Sequence, residues 1–484
     1  MLLEELVKGL DVISFKGDLK IEITDIAYDS RKVKNGYIFV CIEGFKFDGH
    51  MYVQSAIENG AKAIIAQKDM EVPEGIILVK VKDTRYALAY MADLLFEHPS
   101  QKFTLVGVTG TKGKTTTTFM IKSILEYVNQ KVGLIGTIAN YIGNEELHTE
   151  RTTPESYDLQ KLFSDMVEKD VNSVVMEVSS HALELHRVAC SNYDIGVFTN
   201  LSRDHLDFHE TFENYLNAKA KLFGMCKKGL VNIDNEYGRK LVGKISCELL
   251  TYGIESDADI KAVDIVSNPD SVEFKLISPW GERLFKVNIP GTFSVYNALA
   301  AISVCSLMGI SLEDIARGVS NVTVPGRAEV VYAGKDFTVI IDYAHTPDSL
   351  ENILKTVKAY APGRVVSMFG CGGDRDKTKR PIMGEISGKL ADFTIITSDN
   401  PRTEEPEAII RDIEAGIKDL DAEYKTIVSR RDAISYAIKN AKEKDIIVLA
   451  GKGHETYQIF KDKTIHFDER EVVKEVLSEI GIVS

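Results

Sequence analysis

The sequence lacks the features of membrane, secreted and nucleic-acid-binding proteins. No stretch approaches the ~20 consecutive apolar residues that a membrane-spanning helix needs. Residues 1–5 contain no basic segment followed by an apolar run, so no signal peptide is predicted. The 58 Lys and Arg residues against 72 Asp and Glu residues give a net charge of −14. This acidic balance argues against a nucleic-acid partner, because phosphate backbones require a basic surface.

Cysteine is also scarce, and its spacing excludes two further classes of protein. The six cysteines form no CxxC pair and no tight cluster; they are Cys41, Cys190, Cys226, Cys247, Cys305 and Cys371. A disulfide framework or a zinc site is therefore not predicted. We expect reduced thiols in a cytoplasmic protein that binds small molecules and acts as a monomer.

The order of apolar patterns predicts an α/β fold of several domains. A length of 484 residues suggests about three domains of ~150 residues. Strand-like runs alternate with helical patterns along most of the chain, which is typical of a parallel sheet covered by helices. Breaks near residues 100 and 325 divide the chain into segments 1–100, 101–325 and 326–484. The last segment has the pattern of a doubly wound domain.

The strongest local motif lies between a predicted strand, residues 103–108, and a predicted helix. It reads Gly110, Thr111, Lys112, Gly113, Lys114, Thr115 and Thr116. Glycines allow backbone N–H groups to converge on phosphates, and the following helix N-terminus favours negative charge. Lys114 would reach the β- and γ-phosphates, and the Thr115 hydroxyl would bind Mg²⁺. The motif therefore predicts ATP binding, although a plain turn before a helix is the alternative.

Polar residues follow two further predicted strands. Glu177 ends one strand, and the carboxyl ends of parallel strands face the ligand crevice, so Glu177 could complete a Mg²⁺ site begun by Thr115. His205 follows the next strand among polar residues, and a metal or phosphate role and a structural role both remain open. The pattern around Lys219 predicts only a surface lysine on a helix.

Several longer motifs accompany the phosphate loop, in a fixed order from about residue 25 to 460. They are Asp29-Ser30-Arg31, Glu177-Val178-Ser179-Ser180-His181, Asn200-Leu201-Ser202-Arg203-Asp204-His205, Asp342-Tyr343-Ala344-His345, Gly372-Gly373-Asp374-Arg375, Asp399-Asn400-Pro401-Arg402 and Gly451-Lys452-Gly453-His454-Glu455. With these motifs the chain resembles the Mur ligases. Within that family it most resembles the enzymes that add the third amino acid to a UDP-linked cell-wall peptide precursor.

The resemblance implies three domains and a set of cofactors. Residues 1–100 would bind UDP, residues 101–325 would form the ATP-binding domain with a mainly parallel sheet, and residues 326–484 would form a Rossmann-like amino-acid-binding domain. ATP and two Mg²⁺ ions are implied, with Thr115, Glu177, His205 and Lys219 as the metal-binding residues and with Glu177 and His205 at the second ion. The resemblance also implies a CO₂-derived carbamate on Lys219, which reverses the reading of that residue from its pattern.

The resemblance also assigns binding residues. For ATP these are residues 110–116 together with Asn297, Arg327, Asp342 and His345. For the UDP-MurNAc-dipeptide they are Ser30, Phe45, Lys46, Thr152, Thr153, Ser179, Arg187 and Lys219. For the incoming amino acid they are Arg375, Asp399, Asn400, Arg402, Gly451 and Glu455. Leu185 departs from a Gln found in some members, which removes one expected hydrogen bond to the substrate.

Members of the family divide mainly between meso-diaminopimelate and L-lysine as the incoming amine. Diaminopimelate carries one more carboxylate, and the planar guanidinium of Arg402 is suited to bind it. An internal salt bridge from Arg402 to Glu404 or Glu405 is the alternative role for this side chain. We therefore predict ligation of diaminopimelate, with L-lysine as the alternative.

The chemistry implied is transfer of the ATP γ-phosphate to the D-Glu carboxylate, followed by attack of the amine on the acyl phosphate. Two other readings stay open. Another Mur ligase or a folylpolyglutamate synthetase would share the phosphate loop but should lack Asp399-Asn400-Pro401-Arg402. A nucleotide-driven switch without ligase chemistry would respond to a protein partner instead of a muramoyl-peptide.

Overall fold

A computed structural model describes residues 1–45 and 47–482. The chain divides into two compact units. The first comprises residues 1–260 and 300–310, and the second comprises residues 261–299 and 311–484. None of the helices in the described part of the chain is both long and apolar enough to cross a membrane.

The first unit begins with a five-stranded sheet of order β1-β5-β4-β3-β2, in which only β1 is antiparallel to its neighbour. Its strands are β1 (Val12–Lys16), β2 (Asp25–Ala27), β3 (Tyr37–Val40), β4 (Ala63–Ala66) and β5 (Ile77–Val81). Its helices are α1 (Leu3–Val7), α2 (Val53–Glu58) and α3 (Thr84–Leu95). The strands β3 and β4 are almost wholly buried because apolar residues cover both faces.

The second sheet of this unit has the order β13-β12-β11-β6-β10-β7-β8-β9. Its strands are β6 (Thr104–Thr109), β7 (Val132–Ile135), β8 (Asn140–Ile142), β9 (Glu145–Leu147), β10 (Ser173–Glu177), β11 (Tyr193–Phe198), β12 (Cys226–Asn232) and β13 (Glu248–Gly253). Its helices are α4 (Lys114–Tyr127), α5 (Ser156–Glu168), α6 (Ser180–Glu184), α7 (Leu206–His209), α8 (Phe212–Ala220) and α9 (Glu236–Val242). The pairs among β13, β12, β11, β6, β10 and β7 are parallel, so these strands end at one edge.

Two reciprocal hydrogen bonds join the first sheet to helix α5. The Tyr157 hydroxyl donates to Asp25 Oδ1 at 2.7 Å, and the Tyr28 hydroxyl donates to Asp158 Oδ2. Burial is the main reason that the pKa of each tyrosine hydroxyl is raised, which keeps both groups as donors. The two sheets of the first unit are thus held together by paired polar contacts.

The second unit begins with an antiparallel meander and contains a doubly wound sheet. Its first elements are β14 (Ile260–Ser267), β15 (Val272–Ser278), β16 (Gly281–Val287) and α11 (Leu312–Ser320). Helix α10 (Thr292–Leu307) begins in this unit, and its residues from 300 onward belong to the first unit. The later strands are β17 (Glu329–Ala333), β18 (Phe337–Asp342), β19 (Val365–Phe369), β20 (Phe393–Ile396), β21 (Tyr424–Thr426), β22 (Asp445–Ala450), β23 (Tyr457–Ile459) and β24 (Thr464–His466). The later helices are α12 (Pro347–Tyr360), α13 (Lys379–Leu390), α14 (Pro406–Glu414), α15 (Arg430–Lys439) and α16 (Glu469–Glu479).

The six-stranded sheet of this unit has the order β17-β18-β22-β19-β20-β21, with all neighbours parallel except β17 and β18. The α/β class and the mainly parallel sheets are as predicted from the alternating patterns. The meander β14–β16 was not predicted, because the prediction relied on continuous apolar runs, and these three strands alternate exposed and buried residues instead.

A buried ion pair fixes the carboxyl ends of β20 and β22. Arg430 and Glu469 both have fully buried side chains, and Arg430 Nε donates to Glu469 Oε1 at 2.8 Å. The same guanidinium donates to the carbonyl oxygens of Ala450 at 2.9 Å and Ser398 at 3.4 Å. Removing one partner would leave the other charge buried and unpaired.

We therefore expect Arg430→Met to lower the free energy of unfolding by about 3–5 kcal/mol, because Glu469 would lose its partner in a buried site. The measurement is urea unfolding followed by circular dichroism. The neighbouring Arg431 pairs with Glu475 at the surface, so Arg431→Met is the matched control and should change stability by less than about 1 kcal/mol. Equal losses for the two variants would contradict the structural role of Arg430.

Candidate functional site

The phosphate loop connects β6 to α4 at the carboxyl edge of the second sheet. Gly113 has a φ of 85° immediately before the helix, a conformation that glycine adopts without strain. A Cβ at Gly110 would lie 1.9 Å from Thr199 Oγ1, so only glycine fits this approach. Lys114 Nζ donates to the carbonyl oxygens of Gly110 at 2.9 Å and Thr111 at 3.0 Å. The loop therefore curls around the amine that was predicted to contact phosphates.

Asn200, which follows β11, holds the loop from the neighbouring strand. Its side-chain oxygen accepts from the N–H of Lys112 at 2.9 Å, and its Nδ2 donates to the Lys112 carbonyl at 3.0 Å. Its own carbonyl accepts from the N–H of Thr111 at 2.9 Å. These bonds leave the loop backbone in one defined shape, which is the requirement for a preformed anion cradle.

Glu177 ends β10 beside the first turn of α4. It is 1% exposed, and its Oε1 accepts from Thr115 Oγ1 at 2.9 Å and from the Thr137 N–H at 2.9 Å. Its Oε2 accepts from Thr137 Oγ1 at 3.1 Å. A hydroxyl and a carboxylate oxygen in contact form the type of donor set that Mg²⁺ prefers, so these residues fit the predicted metal.

Lys219 lies on α8 and is 1% exposed, so the prediction of a surface lysine from its sequence pattern was wrong. Its Nζ lies 4.5 Å from the centre of the Tyr215 ring. Burial lowers the pKa of Lys219 well below its usual value, and the positive charge of Lys114 adds to this effect. Among the residues that the structure describes, no carboxylate pairs with this amine.

His205 precedes α7 in a left-handed conformation with a φ of 52°, and its side chain is about half exposed. Its ring packs edge-on against His181, with centroids 4.8 Å apart, and lies 6.3 Å from the Tyr215 ring. Burial lowers the pKa of His205, and Lys114 and Lys219 contribute as nearby positive charges. His205 and Lys219 therefore both lie close to the Tyr215 ring. Across residues 1–45 and 47–482, no group of three or more His, Cys, Asp or Glu side chains is arranged to hold a metal ion.

The residues predicted to contact the muramoyl-peptide lie next to Glu177. Thr152 Oγ1 is 3.0 Å from Thr137 Oγ1, and Thr153 Oγ1 donates to the Glu177 carbonyl at 2.8 Å. The Ser179 N–H donates to Thr153 Oγ1 at 3.1 Å, and Arg187 Nη1 donates to the Thr153 carbonyl at 3.4 Å. These hydrogen bonds thus connect the residues predicted to contact the muramoyl-peptide with Glu177 and Thr137.

The residues predicted to bind the uridine end lie in the first sheet's loops. Ser30 is 8% exposed and opens a short 3-10 helix, Ser30–Lys32. Phe45 is 76% exposed, and its ring lies 5.8 Å from the ring of Phe208. Lys46 lies outside the described residues.

The remaining residues predicted for ATP belong to the second unit. Arg327 stacks on Tyr343 with its guanidinium carbon 4.9 Å from the ring centre, and its buried Nε has no hydrogen-bond partner among the described residues. Asp342 Oδ2 accepts from the Ala328 N–H at 2.8 Å, and His345 Nδ1 is 2.9 Å from the Tyr343 carbonyl oxygen. Asn297 is buried on α10.

Arg402 lies at the carboxyl edge of the second unit's parallel sheet, in a left-handed conformation with a φ of 52°. Its Nη1 donates to the carbonyl oxygens of Gly373 at 3.0 Å and Asn400 at 3.4 Å. In the described part of the chain it forms no ion pair, because Glu404 pairs with Arg380 instead. The alternative of an internal salt bridge to Glu404 or Glu405 is therefore not what the structure shows.

Asn400 and Glu455 meet beside Arg402. Asn400 Nδ2 donates to Glu455 Oε2 at 2.9 Å, and the same oxygen accepts from the fully buried Lys452 at 2.9 Å. Gly451 has a φ of 116°, and a Cβ there would lie 2.8 Å from Asp399 Oδ2. Arg375 is exposed and donates to the Asp374 carbonyl at 3.1 Å. The structure thus gathers all the residues predicted for the amino acid around one sheet edge.

Three residues with clear contacts were given no role from the sequence, although Asn200 begins one of the quoted motifs. Asn200 shapes the phosphate loop, Thr137 donates twice to Glu177, and Tyr215 covers the Lys219 amine. Tyr215 stands four residues before Lys219, the spacing of neighbours on a helix, and this was the available signal. Asn200 and Thr137 both follow buried strands, but many polar residues do so.

Comparisons with known proteins cover nearly the whole chain. Residues 22–97 match the description "Mur ligase family, catalytic domain", residues 108–305 match "Mur ligase middle domain", and residues 326–453 match "Mur ligase, glutamate ligase domain". A protein of Caldanaerobacter subterraneus subsp. tengcongensis, named UDP-N-acetylmuramoyl-L-alanyl-D-glutamate--2,6-diaminopimelate ligase, is 52% identical over 480 residues, with 99% of each chain covered. A protein of Clostridium perfringens with the same name is 51% identical, again with 99% of each chain covered.

Solved structures agree with these relatives. A structure titled as a UDP-N-acetylmuramoyl-L-alanyl-D-glutamate--2,6-diaminopimelate ligase is 30% identical, with a TM-score of 0.75 and 99% of each chain covered. The MurF ligase from Thermotoga maritima, solved in complex with ADP, shares the fold at 19% identity, with a TM-score of 0.61 over 94% of this chain and 97% of that one. The chain therefore belongs to the Mur ligase family, a family of ATP-dependent ligases.

Proposed function

We propose that this chain is the ATP-dependent ligase that adds meso-2,6-diaminopimelate to the D-Glu of UDP-MurNAc-L-Ala-D-Glu in peptidoglycan precursor synthesis. The relatives that are 52% and 51% identical carry this activity in their names. The observation that carries the choice of amino acid is Arg402, whose guanidinium has backbone partners and no ion pair among the described residues. A second carboxylate on the incoming amino acid would supply the missing anion.

We assign the binding of the three substrates to three segments of the chain. Residues 1–100 bind the uridine end, residues 101–325 bind ATP, and residues 326–484 bind the amino acid. The matched family segments 22–97, 108–305 and 326–453 support these boundaries. Ser30 and Phe45 on one side and Thr153, Ser179 and Arg187 on the other would hold the two ends of the UDP-linked precursor.

The chain's own residues act in this scheme by binding and orienting, because acyl-phosphate chemistry requires no protein nucleophile. The N–H groups of the phosphate loop and the Lys114 amine hold the β- and γ-phosphates of ATP. The D-Glu carboxylate then attacks the γ-phosphorus, and ADP leaves with the bridging oxygen. The amine of diaminopimelate attacks the acyl phosphate carbonyl, inorganic phosphate leaves, and the amide is formed. Arg402 and Glu455 would hold the distal carboxylate and ammonium of the amino acid.

The residues around Glu177 fit a bound Mg²⁺. Thr115 and Glu177 supply oxygen ligands in contact with each other, and His205 and a carbamate on Lys219 would complete the set. Bound Mg²⁺ would supply positive charge that offsets the charge developing on the transferred phosphoryl group. A buried lysine without a carboxylate partner among the described residues supports the carbamate, because that modification converts the amine into an anionic oxygen ligand.

The test of the proposed function is phosphate release from ATP in the presence of UDP-MurNAc-L-Ala-D-Glu with either meso-diaminopimelate or L-lysine. We expect release with diaminopimelate and little with lysine. Arg402→Ala should raise the KM for diaminopimelate ~30-fold or more, because a charge-assisted pair in a closed site is lost. Phosphate release with lysine instead would rule out the proposed recognition of a carboxylate by Arg402. Release with neither amino acid would rule out the proposed ligase function.

Lys114→Ala should lower kcat for phosphate release by about 100-fold or more, because the phosphates would lose a preorganised positive charge. Lys122 on the same helix is a suitable control, since it pairs with Glu126 at 2.7 Å away from the loop. Lys122→Ala should retain the wild-type rate. Full activity of Lys114→Ala would show that the loop does not act on the phosphates.

Carbamylation of Lys219 can be observed directly by ¹³C NMR of the protein in ¹³C-bicarbonate. We expect a carbamate signal in the wild type, because a buried amine is held neutral and can react with CO₂. Lys219→Arg should lose the signal, and Lys221→Arg should keep it because Lys221 is a surface residue paired with Glu184 at 2.7 Å. A signal that persists in Lys219→Arg would exclude Lys219 as the modified residue.

A further inference from the structure

One peptide group, between Gly373 and Asp374, is hydrogen-bonded to both Arg402 and Glu404. The carbonyl of Gly373 accepts from Arg402 Nη1 at 3.0 Å, and the N–H of Asp374 donates to Glu404 Oε1 at 2.7 Å. This carbonyl and this N–H belong to the same planar unit, so the two side chains bind its opposite ends. The orientation of this peptide therefore determines whether Arg402 keeps the shorter of its two hydrogen bonds to backbone carbonyls.

Glu404 is held in turn by a buried arginine. Arg380 has a fully buried side chain, and it donates to Glu404 Oε2 at 3.0 Å and Oε1 at 2.9 Å. Arg380 also donates to Asp412 Oδ2 at 2.8 Å and to the Gly372 carbonyl at 3.3 Å. A two-pronged charge-assisted pair of this kind fixes both the position and the plane of the carboxylate. The Arg380 guanidinium lowers the pKa of Glu404 to about 2, so the carboxylate stays ionised.

The two loops that meet here leave little space for rearrangement. The N–H of Gly373 donates to the Asn400 carbonyl at 2.9 Å, and a Cβ at Gly373 would lie 1.9 Å from the Pro401 carbonyl oxygen. Asp374 has a φ of 55°, and its carboxylate accepts from Thr403 Oγ1 at 2.6 Å. Left-handed conformations at Asp374 and Arg402 are costly for residues with a side chain and persist only where neighbouring contacts hold them.

We propose that the Arg380–Glu404 ion pair is a positioning device for Arg402, acting through the peptide between Gly373 and Asp374. This inference rests on the proposed function, in which Arg402 receives the distal carboxylate of the amino acid. Glu404 fixes the Asp374 N–H, the rigid peptide then presents the Gly373 carbonyl, and that carbonyl orients the guanidinium. The same ion pair keeps the Glu404 carboxylate bound to Arg380. Without it, this carboxylate, only two residues from Arg402, could bind Arg402 in place of the substrate carboxylate.

The inference makes Arg380 and Glu404 specificity-determining residues that do not touch the substrate. Loss of Glu404 would remove the acceptor of the Asp374 N–H, so this end of the peptide would no longer be held and the Gly373 carbonyl would shift relative to Arg402 Nη1. Misplacement of a binding group by a small distance weakens recognition of one substrate and leaves the binding of others intact. The amino acid should therefore be affected, and ATP and the UDP-linked precursor should not.

The experiment is a double-mutant cycle in the full-length ligase with Glu404→Ala, Arg402→Ala and the double variant. Glu404→Ala alone should raise the KM for diaminopimelate about tenfold or more, and kcat and the KM for ATP should stay within about threefold. In the Arg402→Ala background the same change should alter the KM by less than about twofold, because residues that act through one another are not additive. Glu404→Gln keeps an acceptor for the Asp374 N–H and should recover part of the affinity.

Glu475→Ala is the matched control, since Glu475 pairs with Arg431 at the surface and should leave every constant unchanged. Arg380→Lys replaces Glu404→Ala in the cycle if the latter does not fold, and the same non-additivity is expected. An equal rise in KM for diaminopimelate in both backgrounds, or an equal rise for all three substrates, would overturn the positioning role. Phosphate release by the wild type with diaminopimelate tests the proposed function separately. If the wild type shows no such release, the proposed ligase function is rejected before any variant is compared.

Discussion

The site in the first unit depends on the hydrogen bonds of the Glu177 carboxylate. This single side chain joins Thr115 at the start of α4 and Thr137 beyond β7, while its own strand β10 lies between β6 and β7. Its burial would be costly for an unsatisfied carboxylate, and three short bonds offset that cost. The carboxylate consequently joins the start of α4, the proposed metal position and Thr137, and Thr153 is joined to the same residue through the Glu177 main-chain carbonyl.

Parallel strands explain why so many separate motifs converge. The ends of β6, β7, β10 and β11 lie at one edge of the sheet, and each is followed by a polar residue of the site. The same rule operates in the second unit, where the residues after β18, β19, β20 and β22 supply the amino-acid residues and those proposed for ATP. Ligands of α/β proteins commonly bind at such carboxyl edges.

Rigidity in the second unit comes from two arginines that are buried and ion-paired. Arg430 joins the ends of two strands to Glu469, and Arg380 joins the Gly372 carbonyl to Glu404. Each guanidinium donates to at least one backbone carbonyl oxygen as well as to a carboxylate, so each satisfies several polar groups at once. Arg402 differs from both, because the described partners of its guanidinium are backbone carbonyls alone. Its guanidinium can therefore bind a carboxylate of a ligand.

The amino-acid sequence by itself determined the α/β class, the phosphate loop and the membership of the family, because these depend on local patterns and on motifs in order. The tertiary structure alone decided the burial of Lys219, because the sequence of α8 is polar enough to suggest the surface, and only packing buries the helix face that carries Tyr215 and Lys219. It also decided the partner of Glu404, since Arg380 and Glu404 are 24 residues apart and meet only when α13 and the following loop fold together. Contacts between distant segments depend on how elements pack, and no local pattern carries that information.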